Sequence, residues 1–387
     1  MLWQDYLLVP MGVMVMRRSR QAVTNLLAQA GIRVNGDDSW DIQVVDDGFY
    51  GRVLRDGSLG LGESYMEGWW ECDRLDELFR RICSVGLDQN GQGRVRLLLE
   101  WARETLLNRQ TRRRCLDVAE RHYNLGDDMF LPWLDRYNQY SCAYFDGTDD
   151  LDQAQEKKLD LICRKIGLRP GHKVLDVGCG WGGFCRFAAE RYGCSVEGVN
   201  ISSSQIEYAR RSTQDLGLDV AITCRDYRDL VGTFDKIVSV GMFEHVGHKN
   251  YRVFMRSVHR CLREAGVLLL HTIGSNVTCR KFDPWIRKYI FPNGMLPSLA
   301  QISRAAEGLF VVEDVHNLGP HYDTTLMAWN ERFQAAWPDL RQRYPETFKR
   351  MWEYYLLCCA GAFRARAMQV WQIVLTKPGR PQPFCRV

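Results

Sequence analysis

The pattern of hydrophobic and polar positions divides the chain into two parts. From about residue 155 onward, short apolar runs alternate with longer amphipathic stretches. This succession implies a parallel sheet with covering helices. Strands are predicted at Lys173–Val177, Ser195–Asn200, 221–224, 236–240 and 266–272, with two late ones at 310–316 and 370–375. Helices fit between them, as at Gly183–Tyr192 and 203–216. Up to about residue 115 the pattern is irregular. A helix is predicted at 18–30, short strands at 40–54 and a Gly-rich turn at 57–62. A basic helical stretch follows at 93–114, ending in Arg112-Arg113-Arg114 and read as a solvated helix or linker face. No internal repeat is visible.

A chain of 387 residues, 46% hydrophobic and 25% charged, has the composition of a folded protein with room for two domains. The division expected is an accessory N-terminal domain at 1–115 and a catalytic domain at 116–387. The 14 cysteines include no C-x-x-C pair. They read as reduced core thiols of a cytosolic protein, and no metal site is expected. The apolar run at 7–16 contains Pro10 and falls short of a membrane span of ~20 residues. A net charge of +4 permits attraction to anionic membranes or nucleic acid and selects neither.

The sharpest chemical signal is the segment 174–183, Val-Leu-Asp-Val-Gly-Cys-Gly-Trp-Gly-Gly, an apolar strand running into four glycines and then a helix. Gly178, Gly180 and Gly183 also satisfy the G-x-G-x-x-G pattern of dinucleotide proteins, so the glycines alone decide little. Asp176 shifts the balance. A carboxylate there suits the sulfonium and amino group of S-adenosylmethionine, whereas it would oppose a pyrophosphate. Asp226, after the third strand, is placed to accept from an adenine amino group. At the end of the second strand, where an acidic residue is usual for the ribose hydroxyls, the chain has Asn200. With two strands late in the chain, the pattern matches the α/β fold of class I S-adenosylmethionine-dependent methyltransferases, a Rossmann-like seven-stranded sheet whose final strand runs antiparallel.

Beyond the loop, four segments carry a resemblance: Tyr140-Ser141-Cys142-Ala143-Tyr144-Phe145, Phe243-Glu244-His245-Val246-Gly247, His271-Thr272-Ile273-Gly274, and His321-Tyr322-Asp323-x-Thr325-Leu326-x-x-Trp329. In that order they resemble the bacterial cyclopropane-fatty-acyl-phospholipid synthases and the related mycolic acid cyclopropane synthases. The resemblance runs from about His122 to the C-terminus. The region before it resembles the extra domain of the phospholipid-acting members.

This resemblance implies addition of the methyl carbon of S-adenosylmethionine across a cis double bond of an unsaturated phospholipid acyl chain. A carbocation forms, and loss of a proton closes the ring. It implies a bound bicarbonate as proton acceptor, held by Cys142, Glu244, His271, the main chain of Ile273, and Tyr322. It places the cofactor on Tyr140, Ser141, Asp176, Gly178, Gly180, Gly182, Asn200, Gln205 and Asp226. The cation calls for aromatic faces, and Tyr140, Tyr144, Phe145, Phe243, Tyr322 and Trp329 lie in or beside the motifs. Singly, Cys142 reads as a core thiol, His271 as a core histidine and Glu244 as a helix-start carboxylate. Together they read as a site. Cys142 ranks low as a nucleophile, because an alkene is no electrophile for a thiolate.

A bilayer substrate implies a peripheral protein on the inner face of the cytoplasmic membrane, and the segment 280–291, mixing basic and aromatic residues, is the expected lipid contact. Nucleic-acid binding, with bases stacked on the rings, and packing under a lid are the other readings of that segment. A homodimer follows from the resemblance alone, and no nucleic-acid partner is expected. An RNA or small-molecule methyltransferase on the same fold is the rival reading. A base N-methylase would favour an Asn/Asp-Pro-Pro-Tyr-type segment after the fourth strand, where this chain has Gly241-Met242-Phe243-Glu244-His245.

Overall fold

The computed structural model describes residues 11–87, 126–214, 216–278 and 282–387. The chain begins with helix α1 (Met11–Ala28), a two-residue strand β1 (Gln43–Val44), helices α2 (Gly48–Asp56) and α3 (Ser58–Met66), strand β2 (Trp70–Glu71) and helix α4 (Leu75–Ser84). Here the expectations need correction. Of the short strands expected at 40–54 only the two-residue β1 is present, the chain being helical from Gly48 onward, and the expected glycine turn at 57–62 lies almost wholly within α3. The glycines of α3 are spacers. A Cβ at Gly62 would lie 2.4 Å from the Trp285 indole, and one at Gly60 2.4 Å from the Arg52 carbonyl. The basic stretch at 93–114, the boundary near 115 and the start of the resemblance at His122 fall outside the described residues.

After α5 (Asp127–Phe130) and α6 (Leu151–Lys165) comes the sheet: β3 (Lys173–Val177), α7 (Gly183–Tyr192), β4 (Ser195–Asn200), α8 (Ser203–Gln214), β5 (Val220–Cys224), β6 (Phe234–Val240), α9 (Tyr251–Cys261), and β7 (Leu262–Ser275). Then follow α10 (Pro284–Tyr289), α11 (Leu299–Ala306), β8 (Val311–Asn317), α12 (Gly319–Leu340), α13 (Glu346–Arg364) and β9 (Met368–Thr376). The seven strands stand in the order β5-β4-β3-β6-β7-β9-β8. Strands β3 to β7 pair in parallel, and β9 is antiparallel to both β7 and β8. All seven expected strands are present, and the antiparallel final strand is where it was expected.

Alternation along the central strands explains why both faces of the sheet are apolar. Leu175, Ile237, Leu268, Leu270 and Ile373 pack towards α9 and α11. Val174, Val238, Val267, Leu269 and Val374 pack towards α6 and α7. Asp176 shares the second face with Val174, because side chains two apart on a strand point the same way. It therefore lies beneath α7, where its Oδ2 accepts from the Cys185 thiol at 3.5 Å.

A third core joins the N-terminal helices to α12 and α13, from Val23 and Leu27 through Trp70 and Phe79 to Trp352 and Phe363. Helix α13 crosses α4 closely at Gly361, where a Cβ would lie 2.4 Å from the Asp76 carbonyl. Beside that crossing Arg364 binds two carboxylates, Asp76 of α4 at 2.5 Å and Asp323 of α12 at 2.8 Å. Burial alone would raise the Asp76 carboxyl, but Arg74 and Arg364 hold it down at about 2.

Part of the basic-aromatic segment joins this packing; Arg280 and Lys281 lie outside the described residues. Asp283 caps α10 by accepting the Trp285 and Ile286 N–H groups at 2.9 Å, and Pro284 starts the helix where no N–H is needed. Trp285 is buried against Tyr354, and Ile290 is buried too. Lys288 pairs with Glu63 of α3 at 2.5 Å. The expectation of rings turned outward to lipid fails for Trp285, because α3 offers its indole a glycine-floored slot.

Candidate active site

The β3–α7 loop forms the floor of a cleft at the carboxyl ends of the strands. Gly178 takes φ +90°, and a Cβ there would lie 2.6 Å from Met242. Both demands call for glycine. At Gly183 a Cβ would lie 1.8 Å from the Tyr137 carbonyl, so glycine lets the segment 137–141 lie against the start of α7. That segment forms the facing wall.

Of the residues expected on the cofactor, Tyr140, Ser141, Asp176, Gly178, Gly180, Asn200, Gln205 and Asp226 all line this cleft. Gly182 is the exception. It caps α7 in a left-handed conformation, and a Cβ there would face Ala209 at 3.0 Å. Asn200 braces the loop, donating to Gln205 Oε1 at 2.9 Å while its Oδ1 accepts from the Ile201 N–H at 2.7 Å. Asp226 accepts from the Arg228 N–H at 2.9 Å and pairs with the guanidinium at 2.8 Å. A carboxylate retains acceptor capacity after two such bonds. Burial raises the Asp176 carboxyl to about 7, opposed by the Cys185 thiol and the charge of Lys158.

Cys142, Glu244, His271, Ile273 and Tyr322 stand behind this wall, outside the cleft lining. Glu244 lies on a 3-10 turn after β6, and its Oε1 accepts from the Ile273 N–H of β7 at 2.6 Å. Its Oε2 is buried with no hydrogen-bond partner. Burial raises this carboxyl to about 7, against the Ile273 N–H, which favours the charged form. His271 is buried and meets the Gln372 amide of β9 at 3.4 Å. Burial, with the charges of Lys158 and Lys165, holds its imidazole well below its usual range, so it is neutral. Burial also keeps the Cys142 sulfur a thiol; it donates to the Ala143 carbonyl at 3.3 Å. Tyr322 is buried, and burial holds its hydroxyl well above the usual range, so it stays protonated.

The motif on α12 fastens the wall segment. Thr325 accepts the Ala143 N–H at 3.0 Å, and His321 accepts the Phe145 N–H at 3.2 Å. Of the six expected aromatic rings, three gather: Tyr140 lies 5.2 Å from Trp329, and Tyr322 lies 5.9 Å from it. Tyr144 turns instead to His321, 4.9 Å away. Phe145 offers its main chain to the same histidine. Phe243 packs with Tyr251 at 4.4 Å in the core on the far face of the sheet.

Sequence reasoning did not single out Gln139 and His245, which line the cleft, or Tyr355, whose hydroxyl meets that of Tyr140 at 2.9 Å. Burial lowers His245 to about 4, so it too is neutral. Nor did it single out Lys158, fully buried behind the wall. Its signal was a lysine within the apolar stripe Leu151, Ala154, Leu159, Ile162 of α6.

Comparison with known proteins fits this geometry. The family model described as mycolic acid cyclopropane synthetase matches residues 110–373. The cyclopropane-fatty-acyl-phospholipid synthase of Escherichia coli (strain K12) is 53% identical over 352 residues, covering 91% of this chain and 92% of that protein. The tuberculostearic acid methyltransferase UfaA1 of Mycobacterium tuberculosis is 34% identical over 359 residues, covering 85% and 81%. A solved structure of mycolic acid cyclopropane synthase CmaA1 complexed with SAH and CTAB superposes with a TM-score of 0.64 at 34% identity, covering 68% of this chain and 98% of that one. The chain belongs to the mycolic acid cyclopropane synthetase family of S-adenosylmethionine-dependent methyltransferases.

Proposed function

We propose that the chain converts cis double bonds of phospholipid acyl chains into cyclopropane rings, using the methyl carbon of S-adenosylmethionine. The alkene takes the methyl carbon, S-adenosylhomocysteine leaves with the C–S electron pair, and loss of a proton from the former methyl closes the ring. The observation that carries this reading is the position of Tyr140. Its ring both lines the cleft and belongs to the aromatic cluster with Trp329, Tyr322 and Tyr355. The sulfonium cleft and a dry, cation-tolerant wall thus share one residue.

Asp176, Asn200, Gln205 and Asp226 would hold the cofactor, with Asp176 on its positive end. The unpartnered Glu244 Oε2, the neutral His271 and the Cys142 thiol fit a small anion. At a pKa of about 7 the Glu244 carboxyl is about half protonated at neutral pH, and in that form it can donate to the anion. Bicarbonate bound there would supply the proton acceptor. Glu244, His271, Tyr322 and Cys142 would hold and orient it, while Glu244 Oε1 occupies the Ile273 N–H. Surrounding aromatic packing excludes water.

Among the described residues no helix is long and apolar enough to cross a membrane. The lipid is met, on this reading, by a peripheral protein at the inner membrane face. We assign residues 1–115 as the accessory lipid-binding domain and the chain as a homodimer. Support for the accessory role comes from α3 and α4 packing against α13, the helix that carries Tyr355. Simple methylation of the acyl chain is the second reading, favoured by the 34% identity to a protein named as a methyltransferase.

The test incubates purified protein with labelled S-adenosylmethionine and unsaturated phospholipid vesicles, then analyses the acyl chains by mass spectrometry and ozonolysis. Gain of a methylene with loss of the cleavable alkene is expected. Retention of an alkene would select methylation, and label in RNA with none in lipid would overturn both.

A further inference from the structure

Helix α6 presents Lys158 to the interior beside Ala154, Gln155 and Leu159, and its side chain is fully buried. An ammonium there is costly unless its donors are used. Nζ donates to Gln139 Oε1 at 2.5 Å and to Ser141 Oγ at 3.0 Å. Both acceptors line the cofactor cleft, whereas Lys158 does not.

The same short segment is gripped from other sides. The Asp135 carboxylate accepts the Tyr137 N–H at 2.8 Å and the Gln139 N–H at 2.7 Å. Gln155 donates to the Ser141 carbonyl at 3.0 Å. Gln139 also donates to the Tyr137 carbonyl at 3.2 Å, so its amide is held at both ends. Lys158 is the cation in this frame, and its charge acts on Asp135, on Asp176 of the cleft lining, and on Cys142 and His271.

We propose that Lys158 is a positioning residue for the cofactor: one buried ammonium fixes the Gln139 and Ser141 side chains on the cleft wall, with Asp135 and Asp176 as its counter-charges. This rests on the reading that the cleft takes S-adenosylmethionine. Since Lys158 acts through the wall, its loss weakens cofactor binding more than it slows the chemistry.

The test is calorimetric titration of the full chain with S-adenosylhomocysteine, together with kcat and KM for S-adenosylmethionine, on wild type, K158M, S141A and the double variant. Loss of hydrogen bonds to a charged group is expected to weaken K158M binding about tenfold or more and raise KM to match, with kcat at saturation within about threefold. S141A should cost less in the K158M background than in wild type, because the two share one bond. Should K158M fail to fold, K158Q, which keeps one donor group, carries the same cycle. Unchanged affinity in a folded variant, or additive effects of the two substitutions, overturns the proposal. No binding by wild type would instead overturn the cofactor reading on which it rests.

Discussion

Glu244 and Ile273 are joined across the carboxyl ends of adjacent strands: the Ile273 N–H donates to Glu244 Oε1 at 2.6 Å, while Glu244 Oε2 is buried without a partner. A buried acceptor in that state costs stability, and the proposed anion would satisfy it. Replacing Glu244 by Gln keeps the shape and removes the titrating oxygen. Turnover is expected to fall about a hundredfold or more, as for loss of a group that manages a proton. Calorimetric affinity for S-adenosylhomocysteine should stay as in wild type. Full turnover in E244Q would remove Glu244 from the reaction.

The same carboxyl makes stability depend on pH in a stated direction. Its folded value of about 7 stands above the usual 4.5, so the folded state holds the proton more tightly than the unfolded chain. The contribution is complete below about 4.5 and is lost as pH rises through about 7. Its slope is at most ~1.4 kcal/mol per pH unit. Denaturant midpoints at pH 5 and pH 8 should differ less for E244Q than for wild type. Equal differences would show that Glu244 ionises freely.

Asp176 predicts a pH dependence of the opposite sense for binding. Its carboxyl, raised to about 7 by burial, is neutral below that value and ionised above it. A cationic ligand gains from the ionised form, so affinity for S-adenosylmethionine should rise with pH through about 7. Below that value the fall can approach on the order of tenfold per pH unit for a single linked proton. D176N isolates the carboxyl from the ligand's own titration, and its calorimetric affinity should be weaker and flatter. A wild-type profile in D176N would count against the assigned role.

The Tyr140 and Tyr355 hydroxyls, 2.9 Å apart, fix the ring that the cleft and the aromatic wall share. Y355F deletes one buried hydrogen bond and little volume. A fall in kcat of about three- to tenfold is expected, in line with ~1 kcal/mol for a neutral bond. Cofactor KM should rise by less, since Asp176 and Asp226 are untouched. An unchanged kcat would mean that packing alone orients Tyr140.

Much of this was legible beforehand, for physical reasons. Strand β3 is an apolar run closed by a glycine loop, and β4 alternates between polar and buried positions up to the turn after Asn200, so pattern and boundary coincide. The N-terminal part was misread because Gly60 and Gly62 serve as spacers for Arg52 and Trp285, and a spacer glycine looks like a turn glycine in a sequence. The segment around Trp285 has the composition of a membrane anchor, and only the slot in α3 turns its indole inward. Phe243 and Glu244 are neighbours on one turn, yet the first joins an apolar core and only the second hydrogen-bonds the Ile273 N–H; motif proximity could not separate them. Lys158 escaped notice because a lysine in an apolar stripe ordinarily reaches out to solvent along its stem.

Arg364 grips Asp323 on the helix that carries Tyr322 and Asp76 on an N-terminal helix. Force applied to α4 is therefore delivered to α12 through one guanidinium, and the third core spreads it over many side chains. The two parts should melt as a single cooperative unit, giving one calorimetric transition. R364A should lower that transition without splitting it. A load borne by α4 would therefore reach α12, the helix that carries Tyr322, without passing through the sheet.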